Sequence, residues 1–376
     1  MLNDPLAISR SWLARLALSS MALLSATTLA SAHCYPGTDS EPLEPTMVLE
    51  TTGGTFWESF RKAVVEPFEA ECGVKVTMTL SPQRNIGQLR GFVARGNVPW
   101  DMGLINNPWD FDTALRENLM EPLPPGFWDP IKDKLIPGSY TDYSVWSNVY
   151  ATQLIYNTKV FADKVPQNWA DFWDVETFPG PRSLQDNVVN IVIALLADGL
   201  SKDEIYPITD EKLKRAFAKL DKLRPHIRSF WTAGDQPIQG VNRGDFVMSS
   251  GHTSRIFAGI RSGYNIGTTF NQGVTTESIL YRPRGAKSPR AAAALLFFYN
   301  REAQQAKRAE LTGYTGALAN PGSFVPPELA KNLVADAENI KLAVPLDKDW
   351  WGANAARIQG LWKEWVTSGK VSIGTP

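Results

Sequence analysis

Residues 147–157, SNVYATQLIYN, decide how this chain is read. The stretch is polar for three residues and then mixes β-branched and aromatic side chains, which is the composition of a strand. Before it lies a Pro- and Gly-rich run, 121–138; after it come NTKVFADKVPQNWADFWD and FPGPRSL. A strand set between two such irregular segments either ends in a surface turn or carries the chain from one folded body to another.

Strands and helices alternate on both sides of it. Upstream, Thr46–Thr51 reads as a strand closed by Gly53-Gly54, and Phe56, Phe60, Val64 and Phe68 then recur at helical spacing, with Gly73 as a stop. Residues 74–80 read as a second strand, 85–95 as a helix and 100–106 as a third strand. This order predicts a largely parallel α/β sheet. Ligands of such sheets sit beyond the C-terminal strand ends, which puts 53–57, 81–84 and 106–109 on one rim. The Gly53-Gly54-Thr55 turn either offers backbone N–H groups to a polar ligand or simply permits a tight turn. Downstream, Trp169–Trp173 and 187–197 read as helices, and Asp210–Leu223 as an amphipathic helix capped by Asp210. Further strands are expected near 264–270 and 276–281.

The 376 residues suit two domains, and 43% hydrophobic with 20% charged residues is a globular composition. Thirteen tryptophans exceed what packing alone asks for and point to a ligand site. A formal charge of -1 leaves no electrostatic footprint for nucleic acid. At the N-terminus Arg10 and Arg15 precede an apolar stretch, 16–29, and then Ala30-Ser31-Ala32. That is a secretory signal peptide, residues 1–32, with cleavage expected after Ala32 and a mature chain starting at His33. His33 stands where a lipobox needs a small residue, which argues against lipid anchoring at Cys34. In an oxidising compartment Cys34 and Cys72 either pair, tying the mature N-terminus to the first helix, or Cys34 stays apart in a frayed tail.

An enzyme of a familiar kind is not visible. The three histidines (His33, His226, His252) are scattered, and no HExxH, GxSxG, CxxC or GxxxxGK[ST] occurs. Nothing in the spacing implies a metal or a cofactor. A binding protein is the expected class, with an exported enzyme on the same fold as the competing one.

Six blocks in order, RKAVVEPFEAECGVKV, GNVPWDMGLINN, YATQLIYNTKVF, NWADFWDVETFPGPRSL, WTAGDQPIQGVNRGDF and LTGYTGALANP, make residues 47–366 resemble the extracellular solute-binding proteins of bacterial ABC importers, in particular the spermidine/putrescine-binding family. The resemblance implies a two-lobed α/β periplasmic binding protein of type II with two crossing hinge strands. Lobe 1 would comprise 46–149 plus 276–310, and lobe 2 would comprise 150–275 plus 311–376. It also implies a periplasmic monomer that closes on a solute and docks on an ABC permease in the inner membrane.

Residues are carried over by position. Polyamine binders stack the ligand on aromatic side chains and hold each ammonium with a carboxylate. Asp186 matches the first such carboxylate, but Val189 stands at the next acidic position, His252 replaces a tryptophan, and Thr276 and Ser278 replace a Trp-x-Asp with Glu277 between them. Arg255 is similar to an arginine of non-polyamine members and suits a ligand carboxylate, or else a structural ion pair. A polyamine such as putrescine or spermidine is therefore the first expectation, and an amino acid or opine-like compound the alternative. Phe56, Trp57, Asn106, Trp109, Tyr314, Trp351 and Asn354 complete the expected cleft, with the core as the competing place for Trp57 and Trp109. Asp186 competes as a helix cap. Trp362 and Trp365, at helical spacing from Ile358, read as packing.

Overall fold

The computed structural model describes residues 34, 42–80, 86–106 and 108–374. The expected signal peptide with its cleavage site, and the rim segment 81–84, lie outside the described residues.

Strand β1 (Thr46–Thr51) ends at the glycine pair and α1 (Thr55–Phe60) begins. The helix runs through one π-helical turn, Arg61–Val65, into α2 (Glu66–Cys72). Gly73 stops it at φ 69°. Phe60, Val64 and Phe68 are fully buried, as their spacing requires. Strand β2 (Lys75–Leu80) lies parallel to β1. Next come α3 (Ile86–Ala94), β3 (Gly103–Ile105), shorter than expected, and α4 (Pro108–Arg116). A disulfide joins Cys34 to Cys72 across 5.8 Å between Cα atoms, tying the start of the described chain to the end of α2.

Strand β4 (Tyr140–Thr141) turns back into β5 (Ser144–Asn157), which contains the whole opening stretch. Beyond it lie α5 (Trp169–Trp173), β6 (Arg182–Gln185), α6 (Val189–Ala197), α7 (Asp210–Leu223), β7 (Ile227–Trp231), α8 (Asp235–Arg243), β8 (Met248–His252), α9 (Thr253–Arg261) and β9 (Ile266–Thr268). Helix α7 has its expected bounds but a different cap. Thr209 Oγ1 accepts from the Lys212 N–H at 3.3 Å, while Asp210 is already helical and pairs with Arg357.

Strand β10 (Val274–Tyr281) then returns antiparallel along β5, from Val274 opposite Thr152 to Tyr281 opposite Ser144. Helices α10 (Pro289–Tyr299), α11 (Glu302–Thr312), α12 (Pro327–Ala330) and α13 (Ala337–Leu342) lead to β11 (Val344–Pro345) and α14 (Lys348–Ser368). The large sheet runs β11-β10-β5-β8-β6-β7, with β3 on β10 and β4 and β9 on β5. It is mixed, because β5 pairs antiparallel with both β10 and β8 while β6 is parallel to its neighbours.

Two cores share these central strands. Val145 of β5 and Leu280 of β10 bury with Met47, Phe60, Leu295 and Phe298. Leu154 of β5 and Val274 of β10 bury instead with Trp169, Ile191, Phe217 and Trp365. Each strand thus has one end in each body, as hinge strands must.

The C-terminal division differs from the expected one. Ala317 and Leu318 pack in the first core, Leu318 bridges to Leu135, and Val325 and Leu333 pack on Ala309 of α11. The chain therefore stays with the first body well beyond residue 310. It crosses a third time just before β11, which pairs with Val274 and Thr275. No strand pattern marks that passage in the sequence.

Candidate ligand-binding site

The seam between the two bodies is built at the end of β8. Thr253 Oγ1 donates to the Ala151 carbonyl at 3.1 Å and accepts from its N–H at 3.0 Å. These bonds pin the first turn of α9 to the hinge strand and aim the next two side chains at the first body. Ser254 hydrogen-bonds with the Tyr314 hydroxyl. The Arg255 guanidinium reaches the glycine turn after β1, where a Cβ on Gly54 would stand 2.9 Å from Nη2. Its Nε is 3.5 Å from the Asp235 carboxylate in its own body. Arg255 is thus a structural ion-pair partner and also a bridge between the bodies.

His252 closes the next layer. Its Nε2 is 3.2 Å from Gln185 Oε1, and its ring meets Tyr150 and Trp231 edge-on at 5.4 and 5.1 Å. Burial, and after it the Arg255 charge, push its pKa down to about 4, so the ring is neutral at pH 7. Glu277 lies on β10 opposite Val149, and burial raises its carboxyl pKa. Tyr150 of β5 is half-buried beside His252, and desolvation chiefly raises its pKa, with smaller contributions from Tyr314 and Glu277. Tyr150 is therefore close enough to both Tyr314, the partner of the residue before Arg255, and Glu277 to feel their charges.

A second cluster involves Ser278, the residue after Glu277 on β10, and the start of α14. Asn106 Oδ1 accepts from Ser278 Oγ at 3.2 Å, and Trp109 approaches Trp351 ring to ring at 5.8 Å. Trp109 is half-buried and leaves α4 to pack on the second core. Trp351 is fully buried and donates its indole N–H to Tyr206 Oη at 2.7 Å. Asn354 is tied within its own helix, donating to the Trp350 carbonyl at 2.8 Å. Phe56 and Trp57, both half-buried, sit on the first turn of α1, with Phe56 stacked on Phe60 at 5.7 Å.

The Asp186 backbone adjoins the seam, its N–H donating to the Trp231 carbonyl at 2.8 Å, but its side chain is engaged elsewhere. Its Oδ1 accepts the Trp362 indole N–H at 2.8 Å, and Trp362 belongs to the second core, as does Trp365. Nor does it cap α6: Asn187 Oδ1 accepts the Val189 N–H at 2.9 Å. Tyr150, Gln185, Trp231 and Ser254 join the seam without having been singled out from sequence. Only Tyr150 carried a signal, as a polar aromatic at the middle of the crossing strand. Among the described residues, no three or more His, Cys, Asp or Glu side chains stand together as metal ligands, and no helix is long and apolar enough to cross a membrane.

Two bodies sharing two central strands, with polar side chains converging on the seam, are the frame of a solute trap. Residues 63–335 match the sequence profile of the bacterial extracellular solute-binding proteins. The chain belongs to that family. Its function is therefore solute binding and not catalysis. The γ-aminobutyric acid-binding protein of Pseudomonas aeruginosa is 28% identical over 318 residues, covering 84% of this chain and 89% of the relative. Among solved structures, the Atu4243-GABA receptor is 29% identical with a TM-score of 0.75, covering 85% of this chain and 97% of that one. The binding protein MotA of Agrobacterium tumefaciens, in complex with glucopine, is 27% identical with a TM-score of 0.75, covering 85% and 99%. The spermidine/putrescine-binding protein PotD of Streptococcus pneumoniae, at 17% identity, a TM-score of 0.66 and coverage of 86% and 99%, shares the fold alone.

Proposed function

We propose that this protein is the periplasmic substrate-binding component of an ABC importer and that it traps a small zwitterion carrying a carboxylate and an ammonium, with γ-aminobutyrate (GABA) as the leading candidate. The observation that carries the reading is that groups suited to a carboxylate and to an ammonium both come near Tyr150 on the seam. Arg255 and Tyr314 suit a carboxylate, and the half-buried Glu277 suits an ammonium. The relatives whose names record GABA and glucopine add support. Glu277 also leaves room for a polyamine, but that reading has lost its second anchor, since Asp186 is engaged with Trp362. An opine-like conjugate is the second reading. A groove of 570 Å³ lined by Trp231, Asp235, Gln236 and Arg243 adjoins the Arg255–Asp235 pair and has room for an additional substituent. In this account the chain is exported by a leader cleaved after Ala32, closes about β5 and β10, and delivers its solute to a permease.

Thermal-shift screening of the chain from His33 onward, against GABA, opines, basic amino acids, putrescine and spermidine, tests this. A ligand present at a hundredfold excess over Kd stabilises the folded state by about 2.7 kcal/mol, which is easily read. GABA or an opine is expected to raise the melting temperature. Arg255→Met and Glu277→Gln should each weaken that ligand by about 10- to 100-fold, the value of one charge-assisted contact of about 1.5–3 kcal/mol. A shift with polyamines alone would overturn the proposal.

A further inference from the structure

Arg308 of α11 is unlike the other cations of the chain. It is 0% exposed, inside the first body. Among the described residues its guanidinium makes one hydrogen bond, to Tyr299 Oη at 3.2 Å, and Nε and Nη2 have no partner. No carboxylate lies within ion-pair distance of it among those residues. What surrounds it is aromatic: the rings of Phe56, Phe60 and Tyr299 lie 4.7, 5.2 and 5.5 Å from its central carbon. An arginine does not escape burial by losing its proton. A full positive charge is therefore held behind Phe56, in a medium that screens it weakly.

We infer that Arg308 determines specificity, acting through the Phe56 ring and on the Tyr314 end of the seam to reject ligands that place an ammonium there and so to select zwitterions over diamines. Two effects act in the same direction. An aromatic face attracts a cation because its quadrupole is negative there, and a guanidinium already stacked on Phe56 takes up part of that attraction. The second effect is direct repulsion between like charges. Burial chiefly raises the Tyr314 pKa, and the charges of Arg255, from the other body, and of Arg308 act against it by favouring the ionised phenol. An ammonium at this end would meet the field of Arg308, which no ion pair among the described residues offsets, beside that of Arg255 with its Asp235 partner, whereas a carboxylate would be attracted by both guanidiniums. Arg308 itself does not touch the ligand.

This inference rests on the zwitterion reading, and GABA and putrescine separate the two. They share a chain of similar length and an ammonium at one end, and differ in carrying a carboxylate or a second ammonium at the other. Calorimetric Kd values are measured for both ligands with the wild type, Arg308→Met, Arg308→Gln and Arg308→Lys, each checked for cooperative urea unfolding. The glutamine variant keeps a donor for Tyr299, so a folded neutral form is available if the methionine variant fails. The wild type is expected to prefer GABA at least tenfold. The neutral variants should cut the ratio of the putrescine Kd to the GABA Kd by about tenfold, and lysine should restore it. A purely structural role would weaken both ligands together and leave the ratio unchanged, which would overturn the inference while GABA binding still stood. A wild type that binds putrescine as tightly as GABA overturns it without any variant. A wild type that binds neither ligand takes the zwitterion reading down first, and this inference with it.

Discussion

Replacing Gly54 with alanine tests whether the glycine turn and Arg255 form one device. Gly54 has φ 68° and ψ -145°, a region open in practice only to glycine. Forcing an L-residue into it costs about 1–3 kcal/mol. The new methyl would also lie 2.9 Å from Arg255 Nη2. The end of an arginine side chain swings away at little cost in stability, so the clash should register in ligand binding and the backbone strain in stability. Gly54→Ala should therefore lose about 2 kcal/mol, read as a melting-temperature drop of about 3 °C. Its affinity for GABA should fall by about tenfold as the cationic pole moves. Gly322→Ala is the control, since a Cβ there meets nothing within 4 Å and its stability should change by less than about 0.5 kcal/mol. Thermal unfolding followed by circular dichroism, and calorimetry on the same samples, give both numbers. If Gly54→Ala melts with Gly322→Ala and binds as the wild type does, the account of this turn is wrong.

Asp186→Ala breaks the acceptor for Trp362 and should cost about 1–2 kcal/mol in urea unfolding while leaving ligand affinity within about twofold. A large loss of affinity with stability intact would return Asp186 to the role of ligand anchor. The His252 pKa is lowered from 6.5 to about 4 on folding, so between those values the unfolded chain binds more protons than the folded one. Stability supplied by the neutral ring is complete above about pH 6.5 and is lost as the pH falls toward 4. Melting curves from pH 7 to pH 4 should show a shallower decline for His252→Gln than for the wild type; equal slopes would refute the assignment.

The fold was legible because strand composition and helical spacing are local. The SNVYATQLIYN stretch, the Phe56–Phe68 spacing and the 210–223 helix all have their expected form. What escaped was set by contacts between distant residues. The third crossing before β11 is a short extended passage stabilised by pairing to Val274, and nothing within it marks its direction. The capping of α7 went to Thr209 because its hydroxyl reaches the Lys212 N–H, a choice between two adjacent good caps. Within the site, Arg255, His252, Glu277 and Tyr314 are brought to one seam, and Asp186 is drawn off by a tryptophan 176 residues away. Arg308, in QQAKRAELTG, was not singled out from the sequence; the packing of α11 behind α1 buries it.

The most direct test of the central claim, a zwitterion held between two opposite poles, is a crystal structure of the mature protein grown with GABA. The account predicts the carboxylate within hydrogen-bond distance of Arg255 or Tyr314 and the ammonium against Glu277, with Tyr150 between them. A ligand bound in the opposite sense, or seated away from Arg255 and Glu277, would contradict it.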